Sequence, residues 1–159
     1  MPSDFNPAEQ QPTISVGELP KIFSKKVVDH ILNPHNAGDM RGADGLGRAS
    51  IPCGDSMQFC LRVRHDRVLE SRFMTDGCGL VIACGSMLTE LVKGETVNEA
   101  MAITEDDVIS SLGGLPDSET HCATLAVNAL KQALVDYLAL RREPWKRAYR
   151  TVEPFMPGK

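Results

Sequence analysis

Three cysteines stand in settings where a thiol can do chemistry. Cys78 lies between Gly77 and Gly79, where a strand-like run gives way to a helix-like one. Cys122 follows Thr120-His121 at the start of a second helical run. Cys53 falls in Pro52-Cys53-Gly54-Asp55, a turn with a carboxylate two residues further on. A free thiol ionises near pH ~8.5 and a helix N-terminus lowers that value, so thiolates are expected at Cys78 and Cys122. The glycines beside Cys78 leave room for the backbone to approach a bound group. Three thiolates with the carboxylate of Asp55 and the imidazole of His121 make a donor set for a soft or borderline metal. Taken singly, each motif is equally a glycine-flanked turn holding a buried thiol. The chemistry requires that the three meet.

The other cysteines and histidines read differently. Cys84 shares an apolar helical face with Val81 and Leu88 and is expected in the core. Cys60 falls on the polar side of its strand, where partial exposure is expected. His30 and His65 are expected in structural or solvated roles and His35 on the surface, with helix capping an alternative to ligation for His121. Five cysteines with no Cys-x-x-Cys pair argue against a disulfide framework, a zinc ribbon or a thioredoxin-like motif.

The elements that must position these groups follow from periodicity. Ile22 to Leu32 carries a helical stripe, capped by Ser24 and ended by Asn33-Pro34. After a glycine-rich loop, a weak strand over 46–52 is followed by Met57, Phe59, Leu61 and Val63 alternating with polar neighbours. His65-Asp66 is the expected turn, with the returning strand over 68–75. Helical spacing resumes from Leu80 to Val92, and Lys93-Gly94 stops it. A short helix is expected over 97–103 and another after Thr104, its N-cap, with Asp106 and Asp107 near the positive end of the dipole. The last helix runs from Cys122 to about Arg142, capped by Thr120 or Ser118. This order implies an α+β fold, a three-stranded antiparallel sheet with several helices packed on one face. Proline-rich residues 1–21 read as a flexible tail, 22–142 as one domain and 143–159 as a second tail.

Composition limits the function. The chain has 159 residues, a formal net charge of -4 and only 5% aromatic residues. An acidic protein with few stacking side chains is a poor nucleic-acid binder. Arg141, Arg142, Lys146, Arg147 and Arg150 read instead as a basic helix end in solvent or facing an acidic partner. No apolar run reaches 18 residues and the N-terminus has no export or transit pattern, so neither membrane nor nucleic acid is an expected partner and the cytoplasm is the expected location.

Asn33-Pro34-His35-Asn36-Ala37-Gly38, Cys53-Gly54-Asp55, Gly77-Cys78-Gly79 with Ile82-Ala83, Leu88-Thr89-Glu90 and Val92-Lys93-Gly94, then Leu115-Pro116 leading to His121-Cys122, stand in that order. On these blocks, residues 22–142 resemble the IscU/NifU-type iron–sulfur cluster assembly scaffolds. The resemblance implies a SufE/NifU-like fold and a non-enzymatic scaffold that builds a 2Fe-2S cluster from iron and desulfurase-derived sulfur and passes it to apo-proteins. Cys53, Cys78 and Cys122 would ligate the cluster, with Asp55 or His121 near the fourth position. Cys122 would also accept persulfide sulfur. An IscS/NifS-type cysteine desulfurase and apo iron–sulfur acceptors are the implied partners, with zinc an occupant of the cluster-free site. His35 replaces the family's usual arginine. Glu119 replaces the lysine of a segment read by an Hsp70-type chaperone, which argues against chaperone-driven release. The alternative within the resemblance is a SufU-like zinc-dependent sulfur acceptor, whose long insert between the second and third cysteines this chain lacks.

Overall fold

The computed structural model describes residues 23–52 and 54–149. The expected N-terminal tail and Cys53 lie outside the described residues.

Helix α1, Lys25–Leu32, starts where Ser24 Oγ accepts the Val27 amide at 3.2 Å, and it ends at Asn33. The Ser24 hydroxyl also donates to the Leu112 carbonyl, tying α1 to a helix far along the chain. The sheet follows as β1 (Gly45–Ser50), β2 (Ser56–Arg64) and β3 (Arg67–Thr75), antiparallel throughout with β2 central. The link from β2 to β3 is the two-residue turn His65-Asp66, whose φ values of 52° and 63° are both left-handed. Two such residues make a type I′ turn, whose twist suits a two-residue hairpin. Asp66 then accepts Arg141 Nη1 at 2.6 Å, fastening the hairpin tip to the last helix.

Helix α2 (Gly79–Val92) lies against β3, and helix α5 (His121–Arg142) crosses β1 and β2. Between them are α3 (Val97–Met101) and α4 (Glu105–Ser111), which begin with capping boxes, Thr96 with Glu99 and Thr104 with Asp107. Met57, Phe59, Leu61 and Phe73 leave the sheet on the helix side and are buried with Leu88, Leu125 and Leu130. Each large apolar side chain so buried stabilises the fold by roughly 1.5–3 kcal/mol. The sheet and helix backbones come close together at Gly47, where a Cβ would stand 2.2 Å from the Ala133 nitrogen and 2.4 Å from the Ala129 carbonyl oxygen. Glycine on β1, with alanine on the facing helix, is the condition for that contact.

The opposite sheet face corrects the expectation for Cys60. Cys60 is fully buried with Met40 and Ala43, and Leu46 packs against them. The loop between α1 and β1 covers the side of β2 that alternation assigns to solvent. Beyond α5, Pro144–Tyr149 forms a 3-10 turn held near the helix, where Lys146 pairs with Glu143. Among the described residues, no helix is long and apolar enough to cross a membrane.

Candidate metal centre

Two stretches of chain are stitched together beside the sheet. Between β1 and β2, the Ile51 amide donates to the Asp55 carbonyl at 3.0 Å and the Gly54 amide to the Ile51 carbonyl at 2.9 Å. Asp76 Oδ1 accepts from the Ser56 amide at 2.8 Å and its hydroxyl at 3.2 Å. Thr75 Oγ1 donates to the Ser56 carbonyl at 2.6 Å and accepts the Gly77 amide at 3.0 Å. These bonds fix the segment carrying Asp55 against the segment leading into Cys78, and Asp55 acts electrostatically on that thiol.

Cys78 is the exposed N-cap residue of α2, in extended backbone. Its pKa is lowered from 9.0 to about 6. The largest cause is hydrogen bonding from Cys122, opposed by partial burial. The Val81 and Leu80 amides favour the thiolate as well, although neither closes a formal side-chain cap. The flanking glycines are also required by the chain's own packing. A Cβ at Gly77 would stand 2.7 Å from that of Val81, and one at Gly79 3.3 Å from Ile31 Cγ2.

Cys122 departs from the expected thiolate. It is fully buried, and its pKa is pushed well up, first by its interaction with Cys78 and then by desolvation and the charges of Cys78, Cys84 and Glu119. Each thiol thus acts on the other, Cys122 favouring the thiolate of Cys78 and Cys78 disfavouring that of Cys122. The expected hydroxyl cap is missing too. Thr120 has helical backbone angles and its hydroxyl donates to the Asp117 carbonyl at 3.2 Å. Ser118 belongs to the 3-10 turn Asp117–Glu119 that runs into α5.

That turn brings up a group absent from the expected site. Glu119 Oε2 lies 3.9 Å from Cys122 Sγ and 4.0 Å from His121 Nε2, and His121 Nε2 lies 3.8 Å from Cys122 Sγ. The three donor atoms are within 4.8 Å of one another, close enough to share a metal ion. The clue in the sequence is Glu119 three residues before Cys122, which a 3-10 turn running into a helix places on the cysteine's side. His121 does not cap the helix. Cys84 is core as expected, and desolvation pushes its pKa up to about 12. Thus Cys78 meets Cys122, Asp55 acts on Cys78, and His121 and Glu119 flank Cys122.

Residues 22–143 match the family described as NifU-like N terminal domain. The iron-sulfur cluster assembly scaffold protein IscU 1 of Archaeoglobus fulgidus is 46% identical over 117 residues, 73% of this chain and 76% of that protein. Its counterpart IscU from Aquifex aeolicus is 44% identical over 119 residues, covering 73% and 76%. Escherichia coli K12 IscU is 41% identical over 124 residues, covering 75% and 96%. In fold, the chain is similar to a NifU-like N-terminal protein from Brucella abortus, with TM-score 0.64 at 16% identity over 79% of this chain and 99% of that one. On the match over residues 22–143 and relatives at 41% to 46% identity, the chain belongs to the NifU-like N-terminal domain family.

Proposed function

We propose that this protein is a scaffold on which an iron–sulfur cluster is assembled from iron and sulfur and then transferred to apo-proteins. The observation that carries this reading is the pairing of Cys78 with Cys122 at the starts of two helices, one sulfur exposed as thiolate and the other buried. Relatives at 41% to 46% identity bear the name of cluster assembly scaffold proteins, which supports it. The cluster is cargo here, so the protein acts as a carrier rather than as a catalyst. Cys53, Cys78 and Cys122 supply sulfur ligands to a 2Fe-2S cluster, with Asp55 or His121 at the fourth position. A carboxylate is a hard donor that holds a soft-metal site less firmly than thiolate does, so Asp55 keeps the cluster exchangeable.

Sulfur arrives from a cysteine desulfurase of the IscS/NifS type in the cytoplasm. The Cys122 thiolate attacks the terminal sulfur of the desulfurase persulfide, the S–S bond breaks, and the desulfurase leaves as thiolate. Cys122 must first give up its proton, for which Cys78, Glu119 and His121 are the neighbouring bases. Reduction of each transferred sulfur to sulfide takes two electrons from an external thiol or ferredoxin-type reductant.

Anaerobic reconstitution with a desulfurase, cysteine, reductant and ferrous iron tests the proposal. Visible absorption with stoichiometric iron and sulfide, lost in Cys78→Ser and Cys122→Ser and transferable to an apo-ferredoxin, is the expected result. Unchanged cluster lifetime and transfer in Asp55→Ala would remove the role given to that carboxylate. The second reading, a zinc-dependent sulfur acceptor, draws on the Glu119, His121 and Cys122 grouping, a donor set that suits tetrahedral zinc. A colourless protein that keeps zinc while accelerating the desulfurase would favour it.

A further inference from the structure

A second donor cluster lies along α2, away from the thiols. His30, in the last turn of α1, is buried at 6% exposure. Its Nδ1 is 2.6 Å from Ser86 Oγ, and its Nε2 is 3.8 Å from Glu90 Oε2. His35 follows the Asn33-Pro34 stop, and its Nδ1 contacts the other oxygen of the same carboxylate, Oε1. The two imidazole centroids are 4.8 Å apart, with the rings tilted by 50°. Donor atoms from His30, His35 and Glu90 all fall within 4.8 Å of one another.

The framework holding them is tied down. The His35 amide donates to Ser86 Oγ at 2.8 Å, Thr89 Oγ1 lies 3.5 Å from the His35 carbonyl, and Asn36 Nδ2 donates to Thr89 Oγ1 at 3.1 Å. Ser86 and Thr89 are both buried, so α2 spends two polar core positions on fixing this loop. The separation of 3.8 Å between His30 Nε2 and Glu90 Oε2 is long for a hydrogen bond. It suits two ligands of one ion, each about 2.0–2.2 Å from the metal. Ser86 at His30 Nδ1 stands where a ligating histidine usually finds its outer hydrogen-bond partner. His35 and Glu90 are partly exposed, with side chains at 49% and 42%, so an ion can enter from solvent and keep a water.

We propose that His30, His35 and Glu90 form a binding site for a divalent first-row transition metal, separate from the thiol centre. Two imidazoles and a carboxylate favour Zn2+, Co2+, Ni2+ or Fe2+ over Mg2+ or Ca2+. Twelve residues of helix separate Glu90 from Cys78, about 18 Å of axial rise, so one ion cannot serve both places.

Zinc titration of the anaerobic full-length protein, with a chromophoric chelator as competitor, tests this. The wild type is expected to take one more equivalent of Zn2+ than His35→Ala or Glu90→Gln. Both variants change partly exposed side chains, and both should keep the cysteine-bound equivalent. Affinity at the second site should fall by about 100-fold in either, and by about tenfold in Ser86→Ala, where only His30's partner is lost. Substituting Co2+ should add a band without sulfur-to-metal charge transfer, and that band should be absent from both ligand variants. Stoichiometry and affinity equal to wild type in His35→Ala and Glu90→Gln would overturn the site. Cluster assembly enters none of these readouts, so the scaffold reading stands or falls separately.

Discussion

Cys78 and Cys122 occupy the same kind of place, the first turn of a helix, yet the structure gives them opposite character. Cys78 is exposed, with the amides of α2 ahead of it, and its pKa is lowered to about 6. Cys122 is buried at the start of α5 beside Glu119, and its pKa is raised. The helix end is common to both, so it does not decide the charge. Solvent access and the sign of the neighbours decide it, and each thiol is among the other's neighbours. Two thiols that act on each other in this way set a readily ionised sulfur beside one that ionises with more difficulty.

Cluster formation gives the largest contrast with the core cysteine. Cys78→Ser should abolish cluster loading in the reconstitution assay, while Cys84→Ser, a change at a buried thiol that binds nothing, should retain it in the protein that folds. Alkylation comes next. At pH 7, peptide-resolved mass spectrometry with iodoacetamide should find Cys78 reacting about 100-fold faster than Cys84 or Cys122, because the thiolate is the nucleophile. Its rate should rise with pH around a midpoint of about 6. A smaller effect follows from breaking the pair. In Cys122→Ala the donor to Cys78 is gone, so that midpoint should move up toward an ordinary thiol value, slowing the reaction at pH 7 by roughly tenfold. An unmoved midpoint would show that the helix amides alone hold the charge. The smallest change is expected from Glu119→Gln, since Glu119 is the last of the causes acting on Cys122. Removing its charge should lower the Cys122 pKa and raise its alkylation rate at pH 9 a few-fold.

Stability should follow the same asymmetry. The folded pKa of Cys78 lies below its unfolded value, so its ionised form contributes stability that is fully present above about pH 9 and is lost as pH falls through about 6. Urea unfolding of the apo-protein should therefore show the difference between wild type and Cys78→Ser growing from pH 6 to pH 9.

The sequence reads well wherever the signal is local. Thr104 with Asp107, Asn33 before Pro34 and the turn at His65-Asp66 mark element ends that the structure reproduces, because capping and turn chemistry act over a few residues. The approach of Cys78 to Cys122 follows from the family resemblance and not from spacing. What stayed hidden depends on remote chain. Alternation along β2 cannot reveal that the loop at Met40 to Ala43 roofs Cys60. Nothing near His30 in the sequence announces Ser86 or Glu90, which arrive from a helix more than fifty residues away.

The contact at Gly47 reaches further than the sheet. It lies seven to eleven residues along α5 from Cys122, about 10–17 Å of axial rise, and it seats a stiff rod whose leading end carries that thiol. Any side chain placed there must lift or slide that rod, so the setting of the Cys122 thiol is adjustable from a position that never touches it.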